Sequence, residues 1–482
     1  MLATDEHQPA DSASISRFRD ALHGELFTPS EPEYEEARRV WNAMIDKRPA
    51  LIARCAGEAD VVRSVQFARD HDLLVAVRGG GHGVAGYSTC DGGLLIDLSN
   101  MKGVRVDPVR RIAVAQPGLR LGEFDRETQG FGLATPLGIV ANTGIAGLTL
   151  GGGLGWLNGK YGLACDNLIA AHVVIADGRL LTASATEHED LFWGLRGGGG
   201  NFGVVTLFEY QLHSVGPVIG GMTIYRLSEA KQVLSRYGEL CHERPDELST
   251  AAFLVMGADG QLVVAIALCY CGPLATGENI VKPFRTLGSP AADLVKPMSY
   301  VEQQSSFDAG FPPQRLHYWK ASFLRVTNED AVDVLVDYAT RMPSAMSGIG
   351  LQQVHGAASR VSPSETAFPH RFEFWDVAIL SQWADPAESE RNIAWARDAW
   401  SALQPFSEQG VYVNNLGVEG EDRIRSAYGE SYERLVALKN AHDPTNFFRL
   451  NQNIKPSQVK RPADGGQPSG SAPPAIKEEM SE

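Results

Sequence analysis

Cysteine is scarce, with six in 482 residues: Cys55, Cys90, Cys165, Cys241, Cys269 and Cys271. That number at those spacings does not make a disulfide framework, so ordinary buried thiols in a reducing cytosol are expected. Cys269 and Cys271 share one face of a strand and are badly placed to bridge. No run of about 18 apolar residues occurs, so no membrane-spanning helix is expected. The opening Met1-Leu2-Ala3-Thr4-Asp5-Glu6-His7 lacks the basic and apolar regions of a secretory signal, which predicts a cytoplasmic protein. Positive charge is also in deficit. With 43 Lys and Arg against 58 Asp and Glu, the net charge of −15 repels phosphate backbones and argues against nucleic-acid binding.

Hydrophobic content of 44% and charged content of 21% describe a globular chain, long enough for two or three domains. Residues 1–30 are polar, and residues 459–482 are rich in Pro, Gly, Ser, Glu and Lys; both are expected to be poorly ordered. Between them lies a glycine-rich block, 31–215. A strand at 50–54, a helix over 58–71 with Ala59, Val62, Val65 and Ala68 on its apolar face, and a strand at 73–77 give it a β-α-β start. Residues 216–405 read as a second α+β unit with long strands at 262–271 and 371–383. Residues 406–458 return to the first block, with one helix over 421–442.

Glycine is what the chain has in excess. Of 50 glycines, 28 fall between Gly79 and Gly203, about a quarter of the length. Gly81-His82-Gly83-Val84-Ala85-Gly86 matches G-x-G-x-x-G after a strand, but no helix opens there to meet a pyrophosphate, so a Rossmann site is rejected. The run ending in Gly159-Lys160 has Leu154 and Tyr161 where a P-loop needs Gly and Ser or Thr, so it is not an NTPase loop. Four glycine clusters in one block suit an extended ligand lying close to the backbone in several places, as a flavin dinucleotide would.

The order of motifs carries a resemblance. Arg78-Gly79-Gly80-Gly81-His82-Gly83 is followed by Asp91-Gly92-Gly93-Leu94-Leu95-Ile96-Asp97-Leu98-Ser99, Gln116-Pro117-Gly118, Gly151 to Gly155, Lys160-Tyr161-Gly162-Leu163 and Arg196 to Gly203. Phe368-Pro369-His370-Arg371, Tyr412-Val413-Asn414, Asp443-Pro444-x-Asn446-x-Phe448 and Asn451-Gln452-Asn453-Ile454 follow. Over residues ~35–456 the chain resembles the berberine-bridge-enzyme-like FAD-linked oxidases of the vanillyl-alcohol oxidase / p-cresol methylhydroxylase superfamily. The resemblance implies an α+β, two-domain PCMH-type fold: FAD-binding domain 31–215, substrate domain 216–405 with an antiparallel sheet plus helices, and a C-terminal segment 406–458 belonging to the FAD domain.

It also implies that His82 carries FAD covalently. Val140 stands where many relatives have a second, cysteine tether, so a single tether is expected, as in the subset that includes 6-hydroxynicotine oxidases and polyketide-tailoring flavoenzymes. The matching motifs assign FAD contacts to Arg78, Gly79, Gly80, Gly81, Gly83, Gly86, Gly118, Gly138, Thr143, Gly144, Gly147, Gly152, Gly203, Val204, Tyr412 and Asn414. No metal is expected.

The implied activity is oxidation of a C–OH or C–N centre of a small organic or secondary metabolite, with O2 as acceptor and H2O2 as product. Such chemistry needs a base on the second domain's sheet. The family's acidic strand position falls on Asp376, and alternation groups Asp376 with Phe374, Ala378 and Leu380. A carboxylate among apolar side chains has a raised pKa, as a base requires. Tyr161 is the second catalytic candidate, since Asn415 stands where plant relatives carry a reactive Tyr. Gln352 and His355 are candidate substrate contacts. A carbohydrate oxidase and a non-catalytic flavin-binding protein are the rival readings. The expected partners are a small-molecule substrate and O2, in a monomer or homodimer.

Overall fold

The computed structural model describes residues 11–325 and 328–458. The expected tail at 459–482 and the first ten residues lie outside that range. Residues 11–30 correct the expectation of disorder: Asp11 caps a helix over Ser12–Ala21 by accepting from Ser14 N at 2.7 Å. Phe18 of that helix stacks on Phe67 at 4.1 Å, and Glu25–Phe27 adds an edge strand.

The glycine-rich block is built on two sheets. In the first, Leu51–Arg54 and Val75–Arg78 flank Leu94–Asp97 in parallel, with Glu25–Phe27 antiparallel on the outside. The helix Glu58–Asp70 joins the first two strands of this β-α-β unit. Its buried stripe is Val61, Ser64, Val65 and Ala68; Ala59 and Val62 of the expected face are partly or fully exposed. Asp60 causes the rotation, because its carboxylate turns inward to accept from His23, Gly24 and Ala56 N at 2.9 Å. The second sheet is antiparallel, ordered Val104–Asp107, Ile112–Ala115, Val204–Gln211, Leu168–Val174 and Leu180–Ser184.

A third, antiparallel sheet carries the long strands Val218–Arg226, Leu262–Tyr270, Leu248–Met256, Gly348–Val354, Phe374–Trp383 and Leu316–Leu324, in that spatial order. The helices Ala230–Cys241, Leu274–Arg285, Glu329–Thr340 and Ser389–Leu403 bury one face of it around Trp375, Val377 and Ile379. Alternation then turns Asp376, Ala378 and Leu380 to the opposite face, which looks toward the glycine-rich block.

The C-terminal segment returns to the first block and is locked there by a buried ion pair. Lys439 and Asp443 are both fully buried at 2.7 Å. Lys439 Nζ also donates to Asn201 O and Phe448 O, while Asp443 accepts from Phe447 N and Phe448 N. One expectation fails here. Gly429, at φ +45, breaks the expected 421–442 helix into Glu421–Tyr428 and Tyr432–His442. The Tyr412-x-Asn414 element runs into one 3₁₀ turn, Val413–Asn415.

Removing one partner of a buried pair leaves the other charge unpaired. Lys439→Met should therefore cost about 3–5 kcal/mol of stability, read as a lowered midpoint in thermal or denaturant unfolding. A loss below about 1 kcal/mol would show that the pair does not lock the segment.

Candidate active site

The strand Val75–Arg78 delivers the chain into the loop Gly79–Ser88, which lies against the start of the helix Ile145–Leu150. The contact is backbone on backbone: a Cβ on Gly80 would come 2.5 Å from Gly144 Cα. A Cβ on Gly83, Gly147 or Gly200 would meet nothing within 4 Å, so these glycines border open space.

That space is a chain of three cavities with shared walls. The first, about 240 Å³, is lined by Gly79, Gly83, Gly86, Gly147, Gly203 and Val204, and the C-terminal segment closes it with Leu450, Asn451 and Gln452. The second, about 230 Å³, surrounds Gly80, Gly81, His82, Thr143 and Gly144. The third, about 150 Å³, continues from His82, Gly138 and Thr143 to the sheet face at Gln352 and Asp376. Asn414 lines all three.

His82 stands where the second and third cavities join. Its Nε2 is buried without a hydrogen-bond partner among the described residues. Burial, with a smaller push from Arg120, lowers its pKa to about 4, so the imidazole is neutral at physiological pH. Trp41 holds the ring by stacking at 4.2 Å and itself stacks on His317 at 3.7 Å.

Asp376 is 4% exposed. Its Oδ2 accepts from Asn415 Nδ2 at 2.6 Å, while Oδ1 is buried with no partner among the described residues. Burial raises the carboxyl pKa to about 7, and the Asn415 bond partly opposes that rise. Asn415 reaches Asp376 because of the 3₁₀ turn: on a strand, Asn414 and Asn415 would face opposite ways, whereas the turn brings both to the third cavity. The Tyr412 hydroxyl lies beside them, accepting from Gly153 N at 3.0 Å and from Asn414 Nδ2 at 2.8 Å.

Other expected site residues lie elsewhere. Arg78 does not face the cavities; its guanidinium grips buried Asp97 through two bonds of 3.0 and 2.6 Å and donates to Arg39 O, tying two parallel strands together. Gly118 fits against the carbonyls of Leu98 and Met101, and Gly152 against the Phe368 ring, so both are packing glycines. Tyr161 is outside the Asp376 cavity, stacked on His213 at 4.0 Å with its hydroxyl on Ser214 O. His355 is buried behind the Lys160 turn, where a Cβ on Gly159 would touch its ring. Gln352 does line the cavity, opposite Asp376 across the strands. Trp41 and His317 were missed, since each meets the site through contacts between distant parts of the chain and sits in no glycine motif; Asn415 was placed by its motif, but its bond to Asp376 was not foreseen.

Comparison with known proteins agrees with this geometry. Residues 49–184 match the FAD-binding domain family, and residues 411–455 match the berberine and berberine-like family. The (R)-6-hydroxynicotine oxidase of Paenarthrobacter nicotinovorans is 31% identical over 455 residues, covering 90% of this chain and 97% of the relative. The chain belongs to the berberine-bridge-enzyme-like FAD-linked oxidoreductases. A crystal structure of 6-hydroxy-D-nicotine oxidase from Arthrobacter nicotinovorans superposes with a TM-score of 0.83 at 30% identity, covering 90% of this chain and 98% of that one. A carbohydrate oxidase of Microdochium nivale is 29% identical over 463 residues, covering 89% of this chain and 92% of the relative. The family's α+β fold, its FAD and its oxidoreductase character are thus those of this chain. The residues present fit that cofactor, with open-faced glycines along an extended cleft and an unpartnered histidine nitrogen at its centre.

The carboxyl of Asp376 binds its proton more tightly in the folded chain than at its ordinary 3.8. Below about pH 4 it is protonated in both states and costs nothing; the penalty grows up to about pH 7 and is full above it, on the order of 4 kcal/mol. Asp376→Asn should therefore leave Tm unchanged at pH 4 and raise it increasingly toward pH 7–8. A Tm difference that does not change with pH would contradict the raised pKa.

Proposed function

We propose that the protein is an oxidase with FAD singly tethered to His82, in which Asp376 is the general base for oxidation of a C–OH or C–N centre. The observation that carries this reading is the carboxylate itself: buried on the open sheet face, one oxygen unpartnered, and poised to titrate near neutrality. When bound, FAD supplies two-electron oxidation and passes the electrons to an acceptor, which we take to be O2 with release of H2O2. Asp376 Oδ1 would take the proton from the substrate heteroatom, while Asn415 holds Oδ2 and fixes the carboxylate plane. Gln352 would orient the substrate across the sheet. Tyr161 has no part in this mechanism, because it does not line the Asp376 cavity. The neutral imidazole of His82 has a free nitrogen lone pair, which bond formation to a flavin carbon requires.

Among the relatives, one is a 6-hydroxynicotine oxidase and another a carbohydrate oxidase. The first is favoured: Ile139, Val140, Leu148, Leu154, Phe253 and Trp319 give the cavity apolar walls, which pair poorly with a ring of hydroxyls. Val140 also offers no second tether. Six free cysteines support the cytoplasm as the working compartment.

Two measurements test the proposal. Acid-precipitated wild-type protein should retain its yellow colour on a peptide containing His82, and His82→Ala should release flavin to the supernatant; full release from wild type would refute the tether. In anaerobic stopped-flow, Asp376→Asn should slow flavin reduction by about 10²–10⁴-fold and leave reoxidation by O2 unchanged. A change of threefold or less would remove Asp376 from the mechanism.

A further inference from the structure

Beyond the Asp376 cavity the same sheet face continues into a second chamber, about 400 Å³ against about 150 Å³. The two share Phe253, Phe311 and Leu380 as walls. Their common floor is the strand Phe374–Trp383, with Asp376 and Ala378 in the first chamber, Leu380 at the junction and Gln382 in the second. At about 3.3 Å per residue, Asp376 and Gln382 stand roughly 20 Å apart.

The neighbouring strand keeps this floor level. Gly350 pairs with Ala378 and Gly348 with Leu380. A Cβ on Gly350 would come 3.1 Å from the Phe253 ring, and one on Gly348 would come 2.8 Å from Val255. Side chains there would crowd the walls of the passage.

A cavity of about 150 Å³ holds roughly one benzene ring, and its walls at His82, Gly138, Thr143, Tyr412 and Asn414 are assigned to FAD, so the first chamber takes no more than the reacting ring. The second has a different character. Met222, Val255, Met256, Phe307 and Met346 make it apolar and adaptable. Its single cation is Arg315, half-buried, whose guanidinium has no hydrogen bond or ion pair among the described residues, while its carbonyl is anchored by Ala43 N at 2.8 Å. Such a cation in the wall of an apolar chamber complements an anionic end group.

Resting on the reading of the Asp376 cavity as the reaction site, we propose that the substrate is a two-part molecule: an aromatic head beside Asp376 and an apolar arm, ending in a carboxylate or similar anion, that passes Phe253, Phe311 and Leu380 to reach Arg315. A neutral sugar satisfies neither the apolar walls nor the cation.

The test uses the FAD-loaded protein and calorimetric titration with phenylacetate, 4-phenylbutyrate, 8-phenyloctanoate and the neutral 8-phenyloctanamide. Affinity should rise about threefold or more per added methylene, and the octanoate should bind about tenfold more tightly than its amide. Arg315→Gln should abolish that carboxylate preference without weakening the amide. Leu380→Trp, at the junction of the chambers, should flatten the length dependence while phenylacetate still binds. Equal affinity along the series, or a carboxylate preference that survives Arg315→Gln, would overturn the proposal. Binding does not require turnover. A flat series with flavin reduction still dependent on Asp376 sinks only the two-part substrate, and a steep series with reduction independent of Asp376 sinks only the base.

Discussion

One carboxylate, buried with no countercharge beside it among the described residues, is the constraint on which the site depends. Asp376 has a single hydrogen bond, from Asn415, and an oxygen with no partner among the described residues. Protein interiors tolerate such a group only when its neighbours hold it firmly, because ionising it there costs several kcal/mol. The third sheet supplies that hold. Trp375, Val377 and Ile379 are clamped into the helical layer on one face, so the alternate residues have no freedom but to face the cleft. The C-terminal segment then brings Asn415 across, and that segment is itself fixed by the Lys439–Asp443 pair.

The flavin side of the cleft obeys a different rule, close approach of backbones. Gly80 and Gly144 touch without side chains between them, while Gly83, Gly147 and Gly200 leave room where a Cβ would intrude on a ligand. The same residue type thus serves two purposes a few positions apart. Arg78, inside the same motif, serves a third: it crosses to Asp97 and keeps the parallel strands in register below the loop.

Sequence revealed what depends on local pattern. The R-G-G-G-H loop, the glycine clusters and the order of motifs pointed to the FAD-binding fold, and simple alternation put Asp376 on the cleft side of its strand. What stayed hidden depends on contacts between distant residues. Trp41 reaches His82, and Asn415 reaches Asp376, only after three sheets have assembled. Tyr161 and His355 were placed near the chemistry by motif and strand pattern alone; the structure stacks one, half-buried, on His213 and buries the other behind Gly159. On the helix at 58–70, Val65 and Ala68 were read correctly as buried, but Ala59 and Val62 were not, because an inward Asp60, accepting from three backbone amides, does not look apolar in sequence.

The most direct test of this account is the protonation state of Asp376 itself. Difference infrared spectra of the FAD-loaded wild type against Asp376→Asn isolate the carboxyl stretch of that one side chain. The account predicts a protonated-carboxyl band at pH 5 that disappears with a midpoint near pH 7, the value burial imposes. A band already absent at pH 5, as for an ordinary carboxylate, would contradict it.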